Sequence, residues 1–316
     1  MNLVTVVVNT LNRPTEVVHA LESVFAQTYP KFEVIVVIDG PEPATEKAVQ
    51  DFRNCLPDPL RMRVIVNQTN QGLSESRNIA SREANGRWIA FLDDDDQWLP
   101  DKLRCQAAIA ETLAGDFTLV VSRFINKRDS EEEIAPARLI APDEHFSEYM
   151  FCNRGNLIPS TFFVSRELAL AFPFSIACRG FEDLDWLLRI AADPKVEVAG
   201  TPQVLTVYNG RQCLNRERQS AKWQSLYGWS IQSRRYFTRT AYAHFFAKVV
   251  IPYAKENGAS LRELIHIALA GMLLGKFRPA ILFFCVASIF FDRETKARVR
   301  RLFSTDARNS VRRELV

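Results

Sequence analysis

The chain has few residues of the kinds that announce metal or redox chemistry. Its four histidines, His19, His145, His244 and His266, stand apart with no metal-ligand spacing. Its six cysteines, Cys55, Cys105, Cys152, Cys178, Cys213 and Cys285, nowhere form the close pairs of a zinc ribbon or redox couple, so reduced, mostly buried thiols are predicted. No Gly-x-Gly-x-x-Gly follows the first strand-like run, Gly40, Gly72 and Gly86 being scattered, which disfavours a nicotinamide-dependent dehydrogenase. The phosphate loop Gly-x-x-x-x-Gly-Lys-Ser/Thr is missing as well, and with it the case for a P-loop NTPase. There is no internal repeat and no low-complexity stretch. The chain enters a strand-like run at Leu3 without the basic segment, apolar core and cleavage site of a secretion signal, which predicts a cytoplasmic location.

What is present is a chain of 316 residues, 47% hydrophobic and 24% charged. That is enough to bury a sizeable core as one large domain or two modest ones, and it excludes a disordered polypeptide or a mini-protein. Forty Lys and Arg stand against 37 Asp and Glu, a net charge of +3, so no chain-wide nucleic-acid footprint is expected.

Short apolar runs alternate with helix-like spacings. Strands are predicted at Leu3 to Val8, Glu33 to Ile38, Met62 to Val66 and Trp88 to Leu92, and helices at Thr15 to Gln27, Ala44 to Cys55 and Leu73 to Ala84. Fully apolar strands covered by helices on both faces imply a doubly wound, mainly parallel α/β sheet. From Phe117 to Tyr208 the pattern becomes an α+β mixture. It holds strands near Leu119 to Phe124, Ser160 to Val164 and Glu197 to Tyr208, a charged loop at Lys127 to Glu133 and a helix at Glu182 to Ala192. After Asn209 it is mostly helical.

In such sheets ligands bind where strands give way to loops at their carboxyl ends. Four polar loops stand there: Asn9 to Arg13, Asp39-Gly40, Asn67 to Gly72, and Asp93 to Asp96. Four adjacent carboxylates repel one another unless a cation or hydrogen-bond donors compensate. In an extended segment Asp93 and Asp95 would face one way and Asp94 and Asp96 the other, and such a pair suits magnesium or manganese with positions open for phosphate oxygens. The run also fits a solvated acidic turn, or an N-cap ahead of Leu99 to Leu103.

Three further residues have two readings each. Asp39 suits a nucleobase edge or ribose, or a plain turn. Arg77, at the front of a helix, suits an anion or a surface pair with Glu75. Asp183 lies three residues before Trp186 and four before Leu187, on an apolar stripe where desolvation would raise its pKa towards that of a general base, or it is a first-turn carboxylate favoured by the helix dipole. Asp185 and Arg189, four apart with the acid first, read as a helix-surface ion pair.

Taken together, TVVVNTLNR at Thr5 to Arg13, LESVFAQTYPKFEVIVVIDG at Leu21 to Gly40, NQGLSESRNIA at Asn70 to Ala80 and GRWIAFLDDDDQWLPDKL at Gly86 to Leu103 resemble a family 2 glycosyltransferase of the GT-A fold. A weaker piece covers Asn156 to Arg189, with GFEDLDWLLR at its end. The resemblance spans about the first 210 residues. It implies a nucleotide-sugar-binding half over 1–115, an acceptor-side half over 116–210 and a helical extension with a basic tail over 211–316.

By the same resemblance Thr10, Asn12, Arg13, Asp39, Arg77 and Asp94 line the nucleotide site. The Asp-x-Asp metal motif falls on Asp93 and Asp95, with the register of Asp94 and Asp96 left open, and Asp183 in Glu182-Asp183 becomes the catalytic base. The implied activity is inverting, metal-dependent transfer from a nucleoside diphosphate sugar, a uridine diphosphate sugar by family habit, to a saccharide or lipid-linked acceptor in bacterial surface polysaccharide or lipopolysaccharide synthesis. The cofactor is manganese or magnesium. The Gln-x-x-Arg-Trp motif of processive synthases is not evident, Arg218 to Trp223 matching it only in part, so single addition is expected. A nucleotidyltransferase and a non-catalytic sugar-nucleotide binder are the alternatives.

The tail completes the reading. Ala280 to Phe291 is twelve residues without a formal charge, short of the ~20 that span a bilayer, and Pro279 favours a helix start. Leu261 to Phe291 therefore reads as a helical hairpin, followed from Asp292 by eight basic residues against four acidic ones. Peripheral docking on the inner face of the cell membrane is one expectation, and packing on the catalytic domain or on a second copy is the other.

Overall fold

The computed structural model describes residues 1–128, 131–209, 222–276 and 279–291. Cys213, Arg218, Arg278 and the basic tail from Asp292, which figure in the reading above, lie outside the described residues. Two compact units divide the chain, Met1–Ala221 and Lys222–Val316.

The first unit opens with β1 (Val4–Thr10), α1 (Pro14–Phe25), β2 (Phe32–Ile38), α2 (Pro43–Asn54), β3 (Met62–Val66), α3 (Leu73–Glu83) and β4 (Trp88–Asp93). The four strands run parallel in the order β3, β2, β1, β4. β1 is buried from end to end because it sits between β2 and β4 with helices over it, which is why all its residues but Asn9 are β-branched, four of the seven being valine. Val4, Val6 and Val8 pack with Val34, Val36 and Ile38 and with Val17, Leu21 and Val24 of α1. Parallel register sets Asn9 beside Asp93 and Thr10 beside Ile38, so these carboxyl ends arrive together at one edge.

The rest of the unit is β5 (Gln97–Trp98), α4 (Lys102–Ala110), β6 (Phe117–Arg128), β7 (Glu131–Ala135), α5 (Phe146–Phe151), β8 (Phe163–Ser165), α6 (Arg166–Ala171), α7 (Glu182–Ala191) and β9 (Val196–Asn209). β8 pairs antiparallel with β4 and β6, β9 runs parallel to β6, and β5 pairs antiparallel with β9, so the parallel half passes into a mixed half.

Three expectations need correction. The charged stretch from Lys127 to Glu133 is not a loop throughout: β6 and β7 form a hairpin in which Lys127 faces Glu132, Nζ to Oε1 3.6 Å, and cross-strand charge pairing takes the place of apolar packing. The strand placed at Ser160 to Val164 begins only at Phe163, because Pro159–Thr161 forms a single 3₁₀ turn. The five described cysteines are free, but only Cys178 and Cys285 are buried, and Cys55 is exposed.

The second unit holds α8 (Trp223–Gln232), α9 (Arg239–Phe245), a π-helical turn (Phe246–Val250), α10 (Ile251–Glu256), α11 (Leu261–Leu274) and α12 (Pro279–Phe290), matching the helical expectation. A capping box between Ser260 and Glu263 starts α11. Gly271 lets α11 approach the π turn, since a Cβ there would stand 2.6 Å from the Cβ of Phe246. Leu264, Ile267, Ala268, Ile281, Cys285 and Ile289 turn inward with Tyr242, Phe245 and Phe246.

Candidate active site

At the carboxyl ends of β1, β2 and β4 a cleft of about 500 Å³ opens. All four loops singled out from the sequence contribute to its lining: Asn9 to Arg13 after β1, Asp39 to Glu42 after β2, Asn70 from the loop that enters α3, and Asp93 to Asp95 at the end of β4, with Leu73 of α3 beside them. Asn12 takes a left-handed conformation, φ 53°, which asparagine tolerates better than most residues and which turns the chain sharply across the mouth.

The aspartate run does not stay extended, so the expected alternation of its side chains fails. The Asp96 amide donates to the Asp93 carbonyl and closes a turn. Asp94 and Asp95 thereby come to the same guanidinium, Arg13 Nη1, at 2.7 and 2.8 Å. Asp96 turns away from the cleft, accepting from the Ser160 hydroxyl and the Asn209 amide, and this removes it from an Asp94-Asp96 pair. Burial pushes the Asp94 carboxyl up to about 7; Arg13 opposes the shift and the Asp95 charge adds to it. Asp96, wholly buried, is also raised well above its ordinary value, by desolvation and by repulsion from Asp95 and Asp93. An acidic cluster held so far out of water favours an added positive charge.

Arg77 is not the surface cation that pairs with Glu75, nor does it line the cleft. Its side chain is 0% exposed, with Nη2 donating to Asp93 Oδ1 at 2.7 Å and Nη1 donating to Asp183 Oδ1, while Glu75 pairs with Arg82 instead. α3 turns a polar side inward, Ser74, Ser76, Arg77, Asn78 and Ser81 all being buried, which periodicity of apolar residues cannot reveal. Arg77 thus ties the end of β4 to the first turn of α7. Asp183 keeps a third of its side chain exposed (33%) while its carboxyl is sunk among Arg77, Glu182 and Asp93. Burial raises its pKa to about 7, Arg77 pulls the other way, and the two acidic neighbours add to the rise. The Asp185–Arg189 pair forms as expected, Nε to Oδ2 2.7 Å.

Asp39 is held by the loop that leaves β3. Its Oδ1 accepts from the Asn67 side chain and the Gln71 amide, its Oδ2 from the Gly72 amide, each at 2.8 Å. Gly72 sits at φ 89°, a conformation that favours glycine and lets its amide turn to the carboxylate. So Thr10, Asn12, Arg13, Asp39, Asp93, Asp94 and Asp95 share the cleft, whereas Arg77 and Asp183 are not in its lining and join it through Asp93. Asn9, named from sequence only as the start of its loop and given no role, lies in the lining 5% exposed with both amide atoms lacking a hydrogen-bond partner among the described residues. Its signal was an asparagine directly after the valine run Val6 to Val8.

The donor set fits a hard divalent cation. Asp93, Asp94 and Asp95 all line the cleft, hard oxygen donors of the kind such a cation takes, and the Arg13 guanidinium already stands between Asp94 and Asp95. Among the described residues no three His, Cys, Asp or Glu side chains are placed to hold a metal ion by themselves.

Residues 5–171 match the family model described as Glycosyl transferase family 2. An uncharacterized glycosyltransferase of Haemophilus influenzae is 31% identical over 211 residues, covering 61% of this chain and 63% of that protein. A putative colanic acid biosynthesis glycosyl transferase of Escherichia coli, WcaA, is 28% identical over 213 residues, 66% of this chain and 74% of the relative. The solved structure of S. aureus TarS 1-349 in complex with UDP-GlcNAc superposes with a TM-score of 0.61 at 18% identity, covering 90% of this chain and 88% of that one, a likeness of fold. With more than half its length and every residue of the cleft lining inside the family match, the chain belongs to glycosyl transferase family 2 and has a GT-A type fold.

Proposed function

We propose that the chain transfers a sugar, with inversion, from a nucleoside diphosphate sugar to a hydroxyl of a saccharide or lipid-linked acceptor in bacterial surface polysaccharide or lipopolysaccharide synthesis. The observation that carries this reading is the buried guanidinium of Arg77, which holds Asp93 of the cleft and Asp183 in one arrangement. A UDP-sugar is the favoured donor, supported by the fold shared with a protein solved with UDP-GlcNAc. The polysaccharide setting is supported by the colanic acid relative.

In this reading Thr10, Asn12 and Arg13 border the diphosphate, and Asp39, already oriented by Asn67, meets the base or ribose. Asp93 and Asp95 are the residues that would hold manganese or magnesium, which when bound would neutralise charge on the diphosphate. Asp183 takes the proton of the acceptor hydroxyl as its oxygen bonds to the anomeric carbon and the bond from that carbon to the diphosphate breaks. A carboxylate whose pKa is raised by burial is a stronger base than one in water, and Arg77 holds one of its oxygens so that the other faces the acceptor. Arg77 is a positioning residue.

Acceptor-dependent release of UDP from a panel of UDP-sugars with manganese, on purified protein, tests the reading. Pyrophosphate released from a nucleoside triphosphate and a sugar phosphate would instead identify a nucleotidyltransferase, and binding without turnover of either kind a non-catalytic binder.

A further inference from the structure

Large apolar side chains are exposed singly over most of the described residues, but they gather on one hairpin. On α11, Leu261, Ile265, Leu269 and Leu273 recur every fourth residue and are 47 to 78% exposed. α12 goes further: Leu282, Phe283, Phe284, Val286 and Phe290 all lie outward, with Phe283 68% and Phe290 64% exposed. Its inward residues, Ile281, Cys285, Ser288 and Ile289, include its only hydroxyl, which donates to the Ala247 carbonyl. A helix apolar all round belongs in a nonpolar surrounding, and a patch this size on a water-facing side marks a docking surface.

Charge shows what docks there. Lys222–Val316 carries 17 Lys and Arg against six Asp and Glu, whereas Met1–Ala221 carries 23 against 31. Three of those lysines border the apolar helix: Lys248 Nζ stands 6.0 Å from the Phe284 ring, Lys255 Nζ donates to the Phe291 carbonyl, and exposed Lys276 precedes α12. Phenylalanines between lysines match a bilayer surface with anionic headgroups, the rings entering the acyl boundary and the ammonium groups staying with phosphate. Among the described residues no helix is long and apolar enough to cross a membrane, and α12 at about 18 Å is too short for the ~30 Å hydrocarbon layer.

We infer that α11 and α12 form a lipid-docking surface that lies in the plane of an anionic bilayer. The inference stands independently of the catalytic reading.

Flotation of the full-length protein with vesicles of phosphatidylglycerol and phosphatidylcholine in equal parts, and of phosphatidylcholine alone, tests it. The wild type floats with the anionic vesicles at low salt and less at high salt. Phe283→Asp with Phe290→Asp lowers the bound fraction at least about tenfold, as a charge replacing an interfacial ring should. Lys248→Glu with Lys276→Glu lowers it similarly on anionic vesicles alone. Leu60→Asp, at an 86% exposed site in the first unit, floats like the wild type. A wild type that stays at the bottom, or a double phenylalanine variant that floats undiminished, overturns the inference. So does a concentration-dependent dimer abolished by the phenylalanine substitutions in a protein that ignores vesicles, which makes a second copy the occupant. Melting shifts with UDP stay at wild-type values in every variant, so loss of docking is distinguishable from loss of the donor site.

Discussion

The two units sort charge and polarity in opposite ways. Met1–Ala221 has an excess of acid and takes it inside: Asp39, Asp94, Asp95, Asp96 and Glu182 are buried, together with the cation Arg77. Lys222–Val316 has an excess of base and leaves apolar rings outside, on α11 and α12. Burying ions costs free energy unless they are paired and hydrogen-bonded, and exposing rings to water gives up hydrophobic stabilisation. Each unit thus gives up stability where it meets something outside itself, the first at a polar cleft and the second at an apolar face.

The sharpest break of this contrast is expected at Asp183. Asp183→Asn keeps an oxygen for Arg77 but cannot take a proton, so transfer should fall at least about a hundredfold, towards 10⁴, the range for a general base. Donor binding, read as a melting-temperature shift with UDP-sugar, should persist. Near-normal turnover would make the raised pKa of Asp183 a feature of the fold alone and move the base to Glu182 or Asp185.

Two phenylalanines of the second unit sharpen its side of the comparison. Phe246, fully buried against Gly271, Tyr227 and Tyr242, should cost about 3 kcal/mol of stability when cut to Ala. Phe283→Ala, on the outward face of α12, should change stability by less than about 0.5 kcal/mol. Urea unfolding of the two variants measures both, and equal losses would mean that the outer face is covered within the protein.

How far these arrangements could be read from sequence differs along the chain. β1 to β4 were legible within a residue or two because buried parallel strands are continuous apolar runs, and their polar carboxyl ends marked the cleft. The β6–β7 hairpin was not, since its arms carry Asn126, Lys127, Glu132 and Glu133 in place of the apolar signal. The aspartate run was found, but its turn depends on Arg13, Ser160 and Asn209, all 64 or more positions away, and local alternation says nothing of such partners. Arg77 was found as a residue and misplaced as a contact for the same reason: Asp183, its partner, is 106 positions along the chain.

A smaller effect is expected at Asp95, where the first unit's acid meets its implied cation. Asp95→Ala should weaken UDP binding about tenfold in manganese and leave metal-free binding unchanged, because the carboxylate acts through the ion. Calorimetric titration with and without manganese measures this. Equal affinities of variant and wild type in manganese would leave the run as an acidic turn balanced by Arg13.

The smallest effect belongs to a carboxylate at the surface of the same unit, which separates what burial does from what pairing does. Glu144 accepts from both terminal nitrogens of Arg138, at 2.6 Å each, and from the Asn153 side chain and the Ala141 amide. The Arg138 guanidinium is the main cause that holds its pKa down at about 2, the reverse of the rise at Asp94 and Asp183. A carboxyl depressed in the folded state contributes stability that is fully present above its unfolded value, near 4.5, and is lost as pH falls through about 2. Arg138 is largely in solvent, so the contribution is small. Glu144→Gln should therefore melt slightly below the wild type near neutral pH, and the gap should close as pH drops below about 4 towards 2. A gap that stays constant over that range would assign the difference to the neutral hydrogen bonds from Asn153 and Ala141 and remove the ion pair from the account.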